Sequence, residues 1–451
     1  MNICSIHSWY TLRELNRLIR NAGKGKVSDF IPQEGNFLYV PASCLPYHIS
    51  GYTTRTHEIL KSLKSVFDRS NSGSSENKKK LFVLTRAGYP WDRKDALKYP
   101  VGTDFSILDD VRYEHIRNPK NNLLTVFYVM RAVAVFEKYI VENKIAVVHA
   151  ASNHVNALPA LIAAKRLGIP FQYEMRGLWE LTRISRDPKF EKSHNFKLGL
   201  DLESLVATNA DKVFVISEQL AEYIKKNWNV SSSAIRLLPN CADVERIKPA
   251  ALETSRDSNS ALPAGKTGEK KTVTIVYAGS LIVYEGIQTL LRALSVLVHD
   301  EHLQVRLEIL GDGEYRTALE SLSAELKLED HVVFLGRVSP EEAKRKQDEC
   351  SIVCIPREPY DVCKIIPPIK MVEAMAKEKC VIVPDLPVFR DELSLGDSGC
   401  LFFKSGDYSD LARVLKENIY DAEGLREKGL KARQYVIKHR QWNQFTKGVY
   451  A

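Results

Sequence analysis

Short apolar, β-branched runs alternate along this chain with longer stretches in which apolar positions recur every three or four residues. The short runs predict strands at Phe37–Val40, Leu81–Thr85, Val147–Ala150, Phe171–Tyr173, Val213–Ile216 and Ile235–Leu238. A second set falls at Thr274–Ala278, Val305–Leu310, Val332–Leu335, Ile352–Ile355, Cys380–Val383 and Cys400–Phe403. Helical periods fill most of the intervals, as at His154–Leu167, Gln219–Asn227, Gln288–Val298, Glu314–Leu326 and Ser409–Ile419. Strands joined through helices lie parallel, with helices covering both faces of the sheet. The expected fold class is therefore α/β.

The alternation breaks at Pro249–Lys271, which is rich in Ser, Ala, Gly, Pro and charge and has no apolar period. That composition marks a linker over 249–271 between two α/β halves, 36–248 and 272–432. Residues 1–35 precede the first strand as an extension expected to be helical. There Trp9, Leu12, Leu15 and Ile19 stand near helical spacing, with Arg13, Arg17 and Arg20 between them. The stripe fits a membrane-surface helix or a helix packed on the first domain with its arginines in water; the second is favoured, because one short stripe is all that supports the first. The most apolar stretch, Leu123–Phe136, is broken by Arg131 and too short to span a bilayer, so it is expected to be a buried helix.

Composition narrows the classes. With 44% apolar and 27% charged residues in 451, the chain is not mostly disordered. A net charge of +8 is mild; no clustered basic stripe points to nucleic acid, and the excess suits anionic small molecules or an anionic lipid surface. Eight irregularly spaced cysteines in so long a chain do not make a disulfide scaffold and read as reduced and cytosolic. The N-terminus lacks the basic start and long apolar run of a targeting segment.

Six stretches carry chemistry. Ser50-Gly51-Tyr52-Thr53-Thr54-Arg55-Thr56 follows a strand and opens a helix, so its backbone N–H groups can hold a phosphate or sugar hydroxyl; a plain tight turn with a threonine cap fits equally. In Tyr173-Glu174-Met175-Arg176-Gly177-Leu178-Trp179-Glu180, Glu174 and Arg176 alternate at a strand end, where doubly wound sheets bind ligands; a structural ion pair is the alternative. His149, also at a strand end, reads more readily as a satisfied half-buried histidine than as a cleft residue. Gly279 and Ser280 turn out of a strand, and a helix starting after Gly286 offers positive potential there. Gly311, in Leu310-Gly311-Asp312-Gly313, and Arg337, in Phe334-Leu335-Gly336-Arg337, end two further strands. Last comes Ile355-Pro356-Arg357, then Lys364 to Ala376, where Pro367 and Pro368 start a helix bearing Lys370 and Glu373 on one face. An ammonium beside a carboxylate suits a nucleotide, diphosphate to the one and ribose diol to the other; a helical salt bridge is the bland alternative.

Taken together, these motifs resemble family 4 glycosyltransferases. Lys370-x-x-Glu373-Ala-Met-Ala looks like that family's C-terminal signature, and SGYTTRT, YEMRGLWE, ADKVFVISE (Ala210–Glu218), LLPNCAD (Leu237–Asp243), YAGSLIVYEG, ILGDGE and VVFLGRV follow in the matching order. The resemblance spans roughly Phe37 to Phe445. SGYTTRT and YEMRGLWE look like a subgroup that builds bacterial surface polysaccharides. The resemblance implies two Rossmann-like domains facing across a cleft (GT-B). The first would bind the acceptor and the second the nucleotide sugar, with a C-terminal helix, 433–451, returning to the first domain.

It further implies a retaining transferase that moves a sugar from a nucleoside diphosphate sugar to a hydroxyl of a glycan or lipid-linked acceptor, without metal or other cofactor. The enzyme would be cytoplasmic, with peripheral association at the inner membrane face a candidate and no nucleic-acid partner. Lys370, Arg176, Glu174 and Arg357 are the expected catalytic residues. Gly279, Ser280, Gly286, Gly311, Arg337, Lys364 and Glu373 would hold the donor, and Gly51, Tyr52, Thr53, His149 and Asn240 the acceptor side. Three features depart from the family pattern. Ile365 stands where the family has a first glutamate, Ser280 and Glu285 stand near its usual basic pair, and Arg176 replaces a histidine. Diphosphate binding then falls to Lys370, with Arg357 or Lys364 as helpers. Two rivals share the fold: a nucleotide-sugar 2-epimerase, for which His149 and Glu174 are the obvious acid–base pair, and a non-catalytic glycosyltransferase-like binding protein.

Overall fold

The computed structural model describes residues 3–24, 29–72, 78–93, 104–249 and 272–450. The linker expected at 249–271 lies, apart from Pro249, outside them. The chain forms two compact units, Met1–Pro239 with Trp442–Ala451, and Asn240–Gln441.

In the first unit the strands are β1 (Asn36–Val40), β2 (Lys80–Val83), β3 (Phe105–Leu108), β4 (Val111–Glu114), β5 (Val147–Ala151), β6 (Phe171–Met175), β7 (Lys212–Val215) and β8 (Ile235–Leu237). Six form one parallel sheet in the order β2-β1-β5-β6-β7-β8. β1 and β6 are buried along their whole length, as strands covered on both faces must be. β3 and β4 pair as an antiparallel hairpin that the apolar pattern did not predict.

The second unit holds β9 (Val273–Ala278), β10 (Val305–Leu310), β11 (Val332–Gly336), β12 (Ile352–Cys354), β13 (Cys380–Pro384) and β14 (Leu401–Phe403). They make a parallel sheet in the order β11-β10-β9-β12-β13-β14. Ile275, Tyr277, Leu307 and Ile309 from its centre pack with Leu290, Leu291 and Leu294 of the helix Ile287–Ser295.

Several expectations need correction. The units part between Pro239 and Asn240, not after residue 248, because the intervening segment is bonded into the second unit. Asn240 Nδ2 donates to the Pro367 carbonyl at 2.8 Å, the Ala242 N–H to the Arg440 carbonyl at 2.9 Å, and Arg433 to the carbonyls of Val244 and Ile247. At the other end, 433–439 completes the helix Ala422–His439 of the second unit, and a separate helix, Trp442–Tyr450, joins the first. There Trp442 is buried beneath Arg55, Thr446 hydrogen-bonds Ser62, and Tyr450 packs edge-on against Phe67.

The expected buried helix around Leu123 runs Thr125–Glu142 and is buried on one side only; Phe127 and Met130 are about half exposed. In the N-terminal helix Ile3–Ala22, Leu15, Ile19 and Ala22 are buried, but Trp9 is not part of that inner stripe: it is 55% exposed, beside Ile6 and Tyr10. No helix among the described residues is long and apolar enough to cross a membrane.

Candidate active site

Three loops meet at the C-terminal ends of β9, β10 and β12, where open parallel sheets hold ligands. They approach so closely that two positions admit only glycine. A Cβ on Gly311, at φ +128°, would lie 1.9 Å from the Gly279 carbonyl oxygen, and one on Gly286, at φ +75°, 1.8 Å from that of Pro356. Lys370 reaches this cradle from the first turn of the helix Ile369–Ala376, and its Nζ stands 3.1 Å from where a Cβ on Gly279 would be.

The first turn of a helix disfavours a cation, and the chain supplies an anion. Glu285 ion-pairs with Lys370 through Oε2 and with Arg357 through Oε1, at 2.7 Å from Nη2 and 3.1 Å from Nε. Tyr277 completes the group. Its hydroxyl lies 3.1 Å from Lys370 Nζ, 3.1 Å from Glu285 Oε2 and 2.9 Å from the Ser280 carbonyl. Burial opposes the Glu285 charge, but Arg357 and Lys370 outweigh it and bring the carboxyl down to about 2. Burial also pushes the Lys370 ammonium down; Glu285 pulls against that shift and Arg357 adds to it.

Lys370 and Glu373 line one cavity with Ala278, Gln347 and Cys354. Ser280 is exposed at its rim of the sheet. Arg337 is 84% exposed, with Asp312 3.7 Å away. Arg357 is turned inward: Nη1 donates to the Ile366 carbonyl at 2.8 Å and the rest of the fork faces Glu285, so the expected helper is bound internally. Lys364 pairs with Asp361 at 2.8 Å on the surface.

The motifs of the first unit build a different object. Ser50 caps the helix Gly51–Asn71 in a capping box with Thr53, which corrects the placing of buried Thr53 among the acceptor residues: its hydroxyl is committed to the turn. Gly51 is exposed, and Tyr52 accepts the Ala42 N–H at 3.0 Å. Glu174 sits between two guanidinium groups. Arg55 reaches its Oε1 at 3.0 Å, Arg176 reaches Oε1 at 2.9 Å and Oε2 at 3.0 Å, and Tyr39 donates at 2.6 Å. Burial opposes this carboxylate too, and the two arginines hold it well below the usual carboxylate range. Arg176 further bonds the Tyr52 carbonyl and the Thr56 hydroxyl.

His149 is stacked on Tyr39, with its ring nitrogens beside Gln172 and Glu174. Side-chain exposures of 0% for His149, 1% for Glu174 and 5% for Arg176 correct their reading as reacting or acceptor-facing groups. Such groups meet a substrate only if the core opens. Nearby, Glu180 is buried with no hydrogen bond to Oε2, and burial plus the charge of Glu203 raise its carboxyl to about 7.

Sequence reasoning passed over Arg55, Tyr39 and Tyr277, and counted Glu285 only as a departure. Arg55 left a signal: it falls in register with Ile59, Leu63 and Phe67, the buried face of its helix. A cation on such a face implies a buried anion. Among the described residues no group of three or more His, Cys, Asp or Glu side chains is placed to hold a metal ion. The seven described cysteines, Cys350 and Cys354 included, are free.

Comparison with known proteins agrees with this architecture. The model of group 1 glycosyl transferases matches residues 262–437, and that of glycosyl transferase 4-like domains residues 81–241. The chain belongs to the family-4-like glycosyltransferases, with the two parallel-sheet domains of the GT-B class. It is 26% identical over 212 residues to the O-antigen chain mannosyltransferase RfbU of Salmonella typhimurium, covering 47% of this chain and 52% of that one. Matches to the curated relatives span 37–53% of their own length. Among solved structures it resembles sucrose-phosphate synthase of Thermosynechococcus elongatus (TM-score 0.69, 16% identity, 92% of this chain, 97% of that one). It also resembles Anabaena HepE in complex with UDP-glucose (TM-score 0.62, 16% identity, 92% and 99%).

Proposed function

We propose that the chain is a retaining hexosyltransferase that moves a sugar from a nucleoside diphosphate sugar to a hydroxyl of a glycan or lipid-linked acceptor in bacterial polysaccharide assembly. The observation that carries this reading is Lys370 Nζ at the glycine cradle, with Glu373 following it on the same helix. Lys370 would meet the diphosphate and Glu373 the ribose diol. HepE, similar in fold, holds UDP-glucose, and RfbU, similar in sequence, is an O-antigen chain mannosyltransferase; both favour this substrate class.

In the reaction the bond from the anomeric carbon to the diphosphate breaks and one to the acceptor oxygen forms on the same face. The acceptor proton passes to the departing phosphate oxygen, so no carboxylate nucleophile is needed. Charge gathers on the leaving group, and Lys370 opposes it. We also infer a cytoplasmic enzyme with peripheral association at an anionic membrane. Exposed Ile6, Trp9 and Tyr10 share the outer face of the N-terminal helix with Arg13, Arg17 and Arg20, and Arg17 pairs with Glu14.

A thermal-shift screen over nucleoside diphosphates tests the donor site, since a ligand of the native state raises its melting temperature. Incubation of the donor sugar with and without acceptor tests the reaction. Glycoside formed only with acceptor is expected. Epimer formed without it would make the chain a 2-epimerase, and no nucleotide binding at all would make it a non-catalytic relative.

A further inference from the structure

We propose that Glu285 is a resident counter-anion of the donor site: it holds the place of a phosphate group against Lys370, yields it to the incoming diphosphate, and takes it back as product leaves. This rests on the donor-site reading above. Its basis is an asymmetry within the buried triad. Arg357 is fixed, with its fork on Glu285 and Nη1 on the Ile366 carbonyl. Lys370 is the only member with substantial access to solvent, at 19% of its side chain against 10% for Arg357 and 6% for Glu285. Its ammonium, on a flexible stem, can exchange one anion for another.

The charges give the consequence. Two cations and one carboxylate leave a net +1 for a diphosphate that carries two or more negative charges. A phosphate competes with Glu285 for the charge of the Lys370 ammonium, so Glu285 weakens nucleotide binding and speeds release. The same carboxylate keeps the ammonium aimed at the cradle in the empty site, beside Gly279 and Tyr277. Glu285 acts by holding Lys370 and by its own negative charge beside Arg357, without touching substrate, and is a positioning residue.

The test is calorimetric titration of wild type, Glu285→Gln, Glu285→Asp, Lys370→Met and Lys370→Met/Glu285→Gln with ADP, GDP, UDP and inorganic pyrophosphate. Glu285→Gln is expected to bind about tenfold tighter, to lower the donor KM, and to lower kcat through stronger product inhibition. Glu285→Asp keeps the charge and should stay within about threefold of wild type, while Lys370→Met weakens binding about tenfold. The double variant restores the net +1 and should regain about tenfold over Lys370→Met. A folded Glu285→Gln that binds no tighter than wild type, or a double variant no better than Lys370→Met, overturns the proposal. If Glu285→Gln does not fold, the comparison of Lys370→Met with the double variant decides. Wild type that binds none of the four probes overturns the donor site itself, an outcome separate from wild-type binding that Glu285 does not influence.

Discussion

Each six-stranded sheet of this molecule ends in a buried carboxylate between two cations, yet the two clusters differ in kind. Glu174 with Arg55 and Arg176 is sealed, with side-chain exposures of 1%, 3% and 5%. Its arginines are spent on holding the chain together. Arg55 ties its helix to the Leu238 and Pro239 carbonyls at the end of β8, and Arg176 ties β6 to the Tyr52 carbonyl. Glu285 with Arg357 and Lys370 is open on one side, and the open member is a lysine. Two rigid forks on a carboxylate make a scaffold; one fork, one carboxylate and one accessible ammonium leave a cation that can change partners. The same charge count thus makes a sealed brace in one unit and leaves an accessible cation in the other.

The comparison breaks first on Glu174→Ala. Removing the carboxylate strands two buried guanidinium groups and should cost about 3–5 kcal/mol in denaturant unfolding. A loss below about 1 kcal/mol would mean the cluster is hydrated and not a scaffold. Next is Lys370→Ala, which should lower turnover at saturating donor by ~100-fold, the scale of one electrostatic stabiliser, with little change in melting temperature. A variant within threefold of wild type would hand the diphosphate to Arg357 or Lys364. Glu373→Ala should weaken donor binding by about tenfold, the worth of a charged hydrogen bond to a ribose, while the fold is kept; unchanged affinity would make Glu373 structural.

The smallest effect sharpens the comparison through pH. Glu285, at about 2 against an ordinary 4.5, adds stability that is present above pH 4.5 and lost as pH falls toward 2. Glu180, buried beside the Glu203 carboxylate, runs the other way. With its carboxyl raised to about 7, the stability tied to its neutral form is full below pH 4.5 and lost as pH rises through 7. Glu180→Gln should therefore stabilise the protein by on the order of 1–3 kcal/mol near pH 8 and hardly at all near pH 4. Equal gains at both pH values would show that Glu180 is hydrated and ionises normally.

The order of strands and helices was legible because burial on both faces writes each parallel strand as an unbroken apolar run, as in Phe37–Val40 and Cys380–Val383. The hairpin Phe105–Leu108 and Val111–Glu114 escaped, since its four-residue strands alternate exposed and half-buried or buried positions. Its one signal was the Asp109-Asp110 turn, both residues at positive φ. The glycines of the loops after β9 and β10 and the Lys370–Glu373 spacing were likewise in the sequence, because a tight turn and a helix face are local properties.

Partner choice was not. Lys370 stood three residues from a glutamate, yet its ammonium pairs with Glu285, 85 positions away, and Glu174 draws Arg55 from 119 positions away. One-dimensional spacing fixes which residues share a turn. Which charges meet, and whether water reaches them, depends on how neighbouring strands bring their loops together, and only the tertiary structure decides that. The sequence by itself determined two parallel α/β units and the residue types at their strand ends. The folded chain decided that one cluster is a sealed brace and the other an accessible cation held by its own anion.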